Sequence, residues 1–144
     1  MASTAIALQR IFFSQPFFAV VGASKGSRTS QFGNKLLKWY QEREFLVQPM
    51  HPKDSEVEGM STLHSIKQLP APASTSISVA TPPKVTLEIL KQAKALAIPS
   101  VWLQPGSEDA EVIDYIQKNG MSDAVVFGGP CVLRDGDKAR RLLF

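Results

Sequence analysis

Carboxylates are missing from the front of this sequence. No Asp or Glu occurs before Glu42, whereas Arg10, Lys25, Arg28, Lys35 and Lys38 all precede it. The formal net charge is only +3, so the bias is local, and it suits nucleic acid, an import receptor or a phosphate-bearing ligand. Nucleic acid fits worst. No Lys/Arg run forms a polybasic stripe, and Arg is not interleaved with aromatic residues as on a stacking platform. Cysteine is scarce as well: Cys131 stands alone, which excludes an internal disulfide. With two histidines in the chain, no Cys/His cluster has the spacing of a zinc site. A reducing compartment is expected, cytoplasmic with mitochondrial as the alternative. No apolar run approaches the roughly 20 residues that cross a bilayer, so no membrane partner is expected. Internal repeats and low-complexity segments are absent too.

What is present suits one globular domain. The chain has 144 residues, 44% apolar and 20% charged, enough to bury a core without disulfide or metal. The expected layout is a single domain over 1–144: an N-terminal helix and lead-in (1–16), a core (17–131) and a C-terminal tail (132–144). The acid-free opening MASTAIALQRIFFSQ has some presequence character, but a single arginine is few for one. A first helix from Thr4 to Phe13, laying Ile6, Leu8, Ile11, Phe12 and Phe13 on a sheet, is the preferred reading. The molecule is expected to be a monomer or homodimer.

Strands and helices then alternate. Phe17–Val21 is a short apolar run ending at Gly22, and it reads as a buried strand. A helix from about Gln31 to Arg43 carries Phe32, Leu36, Leu37 and Tyr40 at helical spacing. Phe45–Gln48 reads as a second strand stopped by Pro49 and Pro52. A weak turn near Thr62–Gln68 and the connector Leu69-Pro70-Ala71-Pro72 lead to a third strand, Ser76–Ala80. Thr81 is a candidate N-cap for a helix from Pro83 to Ala97. Ser100–Leu103 is a fourth strand. Gly106-Ser107 is read as capping a helix that Gly120 ends, and Ala124–Phe127 is a fifth strand. Parallel neighbours need crossovers, which helices supply. The predicted fold is therefore α/β: a doubly wound, mostly parallel five-stranded sheet in a three-layer α/β/α sandwich.

In such sheets a ligand lies beyond the carboxyl ends of the strands, near the point where strand order reverses. That rule selects Gly22–Arg28, Pro49–Lys53, Thr81–Lys84, Gln104–Ser107 and Gly128–Cys131. The first is the strongest. A strand ending in Val-Gly, then small residues, then a helix lets backbone amides and a helix N-terminus meet a pyrophosphate. Gly22 permits a sharp turn, Ala23 and Ser24 permit close approach, Lys25 and Arg28 add charge, and Gly33 allows the helix to pack closely. The strict G-x-G-x-x-G spacing is absent. Where an NAD site places a carboxylate for the ribose hydroxyls, this chain has Gln48-Pro49-Met50-His51-Pro52-Lys53. Lys53, with His51 beside it, suits a ribose bearing a phosphate, as in coenzyme A or NADP. Asp54 and Glu56 read as solvated loop charges.

Taken together, the segments "FAVVGAS", "VQPMHPK" followed by "EGMSTLHSIKQLP", "SVATPPK", "VWLQPG" and "GGPC" resemble the coenzyme A-binding, Rossmann-like domain at the front of the succinyl-CoA synthetase alpha subunit. The similarity to its small stand-alone relatives is closer. It covers about Phe18 to Cys131. The resemblance implies a nucleotide cofactor, coenzyme A or an acyl-CoA. It places Gly22, Ala23 and Ser24 on the pyrophosphate with Lys25 or Arg28 in support, and Pro52 and Lys53 at the adenosine and its ribose phosphate. Thr81, Pro82 and Pro83 would line the middle of the groove, and Gln104, Pro105 and Gly106 the pantetheine arm. Two departures stand out. His51 replaces the family's usual Asn, and Gly129-Pro130 precede Cys131 where stand-alone relatives have Asp-Arg.

Catalysis finds little support. The synthetase uses a phosphohistidine carried in a second domain; His51 and His64 are the histidines here, and His64 reads as a surface or semi-buried residue. Cys131 is a possible thiol, with Arg134 as the nearby cation that a thiolate would need, but a small buried hydrophobe ending the last strand is the preferred reading. Trp39 and Trp102 are expected in the core. The expectation is a binding or sensor module rather than an enzyme, with an NADP-dependent oxidoreductase or a ligand-free interaction subunit as alternatives.

Overall fold

The computed structural model describes residues 2–24 and 31–141. Among these residues five α-helices and seven strands follow in the order α1 (Ala2–Phe13), β1 (Phe17–Val21), α2 (Gln31–Glu42), β2 (Val47–Met50), β3 (Glu56–Val57), β4 (Met60–Ser61), β5 (Thr75–Val79), α3 (Pro83–Ala95), β6 (Ser100–Leu103), α4 (Ala110–Lys118), β7 (Val125–Val126) and α5 (Val132–Arg141). The main sheet runs β2-β1-β5-β6-β7, and every pairing in it is parallel. The α/β, Rossmann-like reading is correct. Counting only those five strands, the order is 2-1-3-4-5, and winding reverses between β1 and β5. That is the topological switch point of a doubly wound sheet.

Side chains alternate across the sheet with the two-residue period of a strand. Ala19, Ile77, Val79, Val101, Leu103 and Val125 face one way and pack under α3 and α4. Phe18, Val20, Trp102 and Val126 face the other, beneath α1, α2 and α5. This second layer is aromatic: Phe12, Phe13, Phe18, Trp39, Tyr40, Phe45 and Trp102 form a continuous cluster of edge-on and tilted rings. Such arrangements add to area burial through the ring quadrupoles. Central strand β5 puts serines on that face. Each is buried with a partner: Ser76 Oγ donates to Phe12 O at 2.6 Å, and Ser78 Oγ meets Tyr40 Oη at 2.6 Å. Burial pushes the Tyr40 hydroxyl far above its ordinary pKa, although its bond to Ser78 opposes this.

Several expectations are corrected. Residues 132–141 are not a tail. They form α5, which buries Val132, Gly136 and Ala139 and packs beside α1 and α2. The amphipathic spacing is present in VLRDGDKARR, but two of its three buried positions are Gly or Ala, which carry little hydrophobic signal. Gly136 is needed there, because a Cβ would come within 2.7 Å of the Trp39 ring. Strand β2 runs through Pro49 rather than stopping before it. It is an edge strand, and Pro49 O accepts from Leu63 N on the side away from β1, so the missing N–H leaves the ladder to β1 intact. A β3–β4 hairpin around Glu58 and Gly59, both at positive φ, replaces an expected loop. The N-cap of α3 is Pro82, not Thr81, and that of α4 is Asp109, whose carboxylate accepts from Val112 N. Phe32 and Ile11, expected to face inward, are 37% and 42% exposed.

Candidate functional site

The carboxyl ends of β1, β2 and β5 open onto one crevice at the switch point. Its volume is about 520 Å³, and its lining includes Gly22, Ala23 and Ser24 from β1, His51, Pro52 and Lys53 from β2, and Thr81 and Pro82 from β5. Small-molecule sites fall in the range of about 300–1,000 Å³. Eight of the sequence-selected residues therefore meet in one place. Lys25 and Arg28 lie outside the described residues.

The first wall is built by glycine packing. Gly22 has φ +119°, and a Cβ there would collide with the Ala80 carbonyl at the end of β5. Gly33, near the start of α2, has no room either: its Cβ would run into the Gly22 carbonyl and lie 2.6 Å from Ala23 N. Helix α2 thus rests directly on the turn that leaves β1. Asn34, the next residue, clamps the following peptide. Its Oδ1 accepts from Ser24 N and its Nδ2 donates to Ser24 O, both at 2.9 Å. Sequence reasoning missed Asn34. A polar residue one step beyond a helix-packing glycine, pointing back toward a phosphate-type turn, is the signal that was there to read.

The second wall is the turn after β2. His51 Nδ1 accepts two backbone amides, from Lys53 N at 3.0 Å and Asp54 N at 2.7 Å, while its Nε2 lies 3.6 Å from Asp54 Oδ2. His64 Nδ1 donates to the His51 carbonyl at 2.9 Å. Asp54, read from sequence as a solvated loop charge, lines the crevice and accepts the Thr62 hydroxyl on its carbonyl. Lys53 is exposed at the rim.

The third wall is braced from β6. Ser107, 2% exposed, donates its hydroxyl to Val79 O at 3.1 Å and accepts from Thr81 N at 3.3 Å. Thr81 Oγ1 meets Thr86 Oγ1 at 2.8 Å, which ties the crevice wall to the first turn of α3. Ser107 is a second support that the sequence reading gave no role of this kind.

The remaining residues go elsewhere. Pro83 lies against a neighbouring cleft between the starts of α3 and α4. Gln104 is fully buried. Its Oε1 accepts from Val132 N at 3.0 Å, so it anchors α5 instead of facing the crevice. Pro105 and Gly106 are exposed and are not among the lining residues. Cys131 is buried, as expected, but it sits at the entrance to α5 and not at the end of β7. Its amide donates to Asp135 Oδ2 at 2.9 Å, and its carbonyl accepts from Asp135 N at 2.7 Å. The nearby cation Arg134 is bound to the Asp135 carboxylate and to Gly129 O. That pairing holds the Asp135 carboxyl below its ordinary range.

Among the described residues no group of His, Cys, Asp and Glu could hold a metal ion, and no helix is long and apolar enough to cross a membrane. The crevice offers a sharp backbone turn, small side chains and a lysine at the rim, with Asp54 also in its lining, and such a turn suits a phosphorylated ligand.

Comparison with known proteins agrees with this geometry. A family model described as a CoA binding domain matches residues 17–136. A conserved hypothetical protein from Pyrococcus furiosus is 33% identical, with a TM-score of 0.72 over 82% of this chain and 97% of its own. A hypothetical protein from Pyrococcus horikoshii is 23% identical, with a TM-score of 0.76 over 94% of this chain and 91% of its own. A structure from Thermus thermophilus is also 23% identical, with a TM-score of 0.74 over 94% and 98%. At that identity the last two speak for the fold alone. No curated protein matches the sequence.

Proposed function

The chain belongs to the CoA-binding domain family, and from that membership we propose that it holds coenzyme A or an acyl-CoA in the switch-point crevice as a binding or sensor module. The observation that carries this reading is the convergence of Gly22–Ser24, Pro52–Lys53 and Thr81–Pro82 on one cavity. In this reading the pyrophosphate lies against the Gly22–Ala23 turn, and Lys53 meets the ribose phosphate. The Ser24 amide is committed to Asn34, so Ser24 shapes the turn and does not supply its backbone N–H to the ligand.

The test is calorimetry with coenzyme A, its dephospho form, NAD and NADP. Coenzyme A is expected to bind most tightly. A charge-assisted contact from Lys53 contributes about 1.5–3 kcal/mol, so dephospho-coenzyme A should bind roughly tenfold more weakly or worse. Equal binding of the two would remove Lys53 from the phosphate. Preference for NADP would favour the oxidoreductase alternative, and no binding of any of the four would favour an interaction subunit.

A further inference from the structure

We propose that His51 is a positioning residue whose unprotonated Nδ1 folds the Pro52–Asp54 turn, so that ligand binding in the crevice is coupled to the protonation of this one ring. The inference rests on the coenzyme reading given above for what is bound, but its structural half stands without it.

A backbone N–H can only donate. Two of them, from Lys53 and Asp54, converge on His51 Nδ1 at 3.0 and 2.7 Å, so that nitrogen must carry its lone pair and the ring proton must sit on Nε2. His51 here does the work of an Asx-turn acceptor, in which a side-chain oxygen caps amides two and three residues ahead. The consequence differs, because an amide oxygen does not titrate in this range and an imidazole nitrogen does. A proton on Nδ1 would set three donors against one another, and the turn that presents Lys53 would open.

Among the described residues the charged groups facing the ring are few. Asp54 Oδ2 lies 3.6 Å from Nε2. His64, from the segment after β4, donates to the His51 carbonyl and not to the ring; its own protonation leaves that bond in place. Lys53 is the remaining charged residue of the turn itself. The two histidines thus hold opposite tautomers, with Nε2–H on His51 and Nδ1–H on His64.

Coenzyme A affinity is measured between about pH 5 and 8 for wild type, His51→Asn and His51→Ala. The ligand's own phosphate monoester titrates in this range but equally for all three, so ratios between variants are the readout. Relative to His51→Asn, wild type should weaken about tenfold on going to the acid end, the scale expected for two lost amide contacts. His51→Ala should bind more weakly than His51→Asn at every pH. A constant wild-type to His51→Asn ratio would overturn the coupling. Ring nitrogen shifts in the free protein decide the structural half by themselves: an unprotonated Nδ1 at neutral pH, with the Lys53 and Asp54 amide resonances following its titration, supports it, and a protonated Nδ1 overturns it. Failure of coenzyme A to bind any of the three would instead sink the coenzyme reading, leaving the turn to be judged on the ring nitrogens.

Discussion

Gly33 sits against the carbonyl of Gly22 with no space for a side chain between them: a Cβ on Gly33 would overlap that carbonyl and come within 2.6 Å of Ala23 N. Two glycines eleven residues apart, one turning the backbone and one admitting the helix, therefore fix where α2 lies relative to the crevice. The obstacle is backbone at the end of a buried strand, which cannot swing aside as a flexible side chain can.

Gly33→Ala is accordingly expected to destabilise the fold by about 2 kcal/mol, within the usual range for overpacking. It should also weaken coenzyme A binding, because α2 must lift from the turn it rests on. Thermal denaturation and calorimetry check both effects. Wild-type stability together with wild-type affinity would show that the contact is not fixed.

Lys53→Met keeps most of the side-chain length and removes the charge. Coenzyme A should lose roughly tenfold in affinity, as expected for one charge-assisted contact, while dephospho-coenzyme A should bind nearly as before. The selectivity ratio is the diagnostic quantity. A uniform loss for both ligands would place Lys53 elsewhere on the coenzyme.

The buried Tyr40–Ser78 pair, 2.6 Å apart, should behave as a unit. Ser78→Ala leaves a buried hydroxyl unpaired, which costs about 1–3 kcal/mol. Tyr40→Phe leaves Ser78 in the same position. The double variant should be less destabilised than the sum of the singles, and chemical denaturation of all four proteins measures the coupling. Simple additivity would mean the two hydroxyls do not bond.

Arg43, the residue after α2, is tied to α5 through a two-pronged bond to Asp137, at 2.7 and 2.8 Å. The guanidinium holds the Asp137 carboxyl below its ordinary range, with Arg140 adding to the effect. A depressed carboxyl stabilises the fold above its unfolded pKa of roughly 3.9, and the contribution fades as pH falls through that value toward the lower folded one. The Asp137 side chain is 43% exposed, so about 1 kcal/mol or less is expected after solvent screening. The stability difference between wild type and Asp137→Asn should be present at neutral pH and shrink in acid. A difference that grows in acid would reverse the assignment.

Much of the plan was legible in the residues. The strand runs are short and apolar, the helices carry their spacing, and Val-Gly followed by small residues marks the turn at the first strand. These are local signals, fixed by side-chain period and backbone freedom. Where local signals failed, they failed for identifiable reasons. Pro49 looked like a stop because an edge position cannot be recognised without knowing strand order. Helix α5 looked like a tail because its inner face is made small by the Trp39 ring, a partner nearly a hundred residues away in sequence. Gln104 looked like a ligand contact because a buried polar side chain and a groove-lining one are the same letter.

By itself, then, the sequence determined the alternating elements, the parallel sheet and the stretches of chain that reach its carboxyl edge, since each depends on neighbours within a few residues. Tertiary structure alone decided which of those stretches share a crevice, that Asn34 and Ser107 brace it, and that the ring of His51 faces its own backbone. These depend on hydrogen-bond geometry between segments brought together only by the order of strands in the sheet, and a linear pattern carries no record of direction.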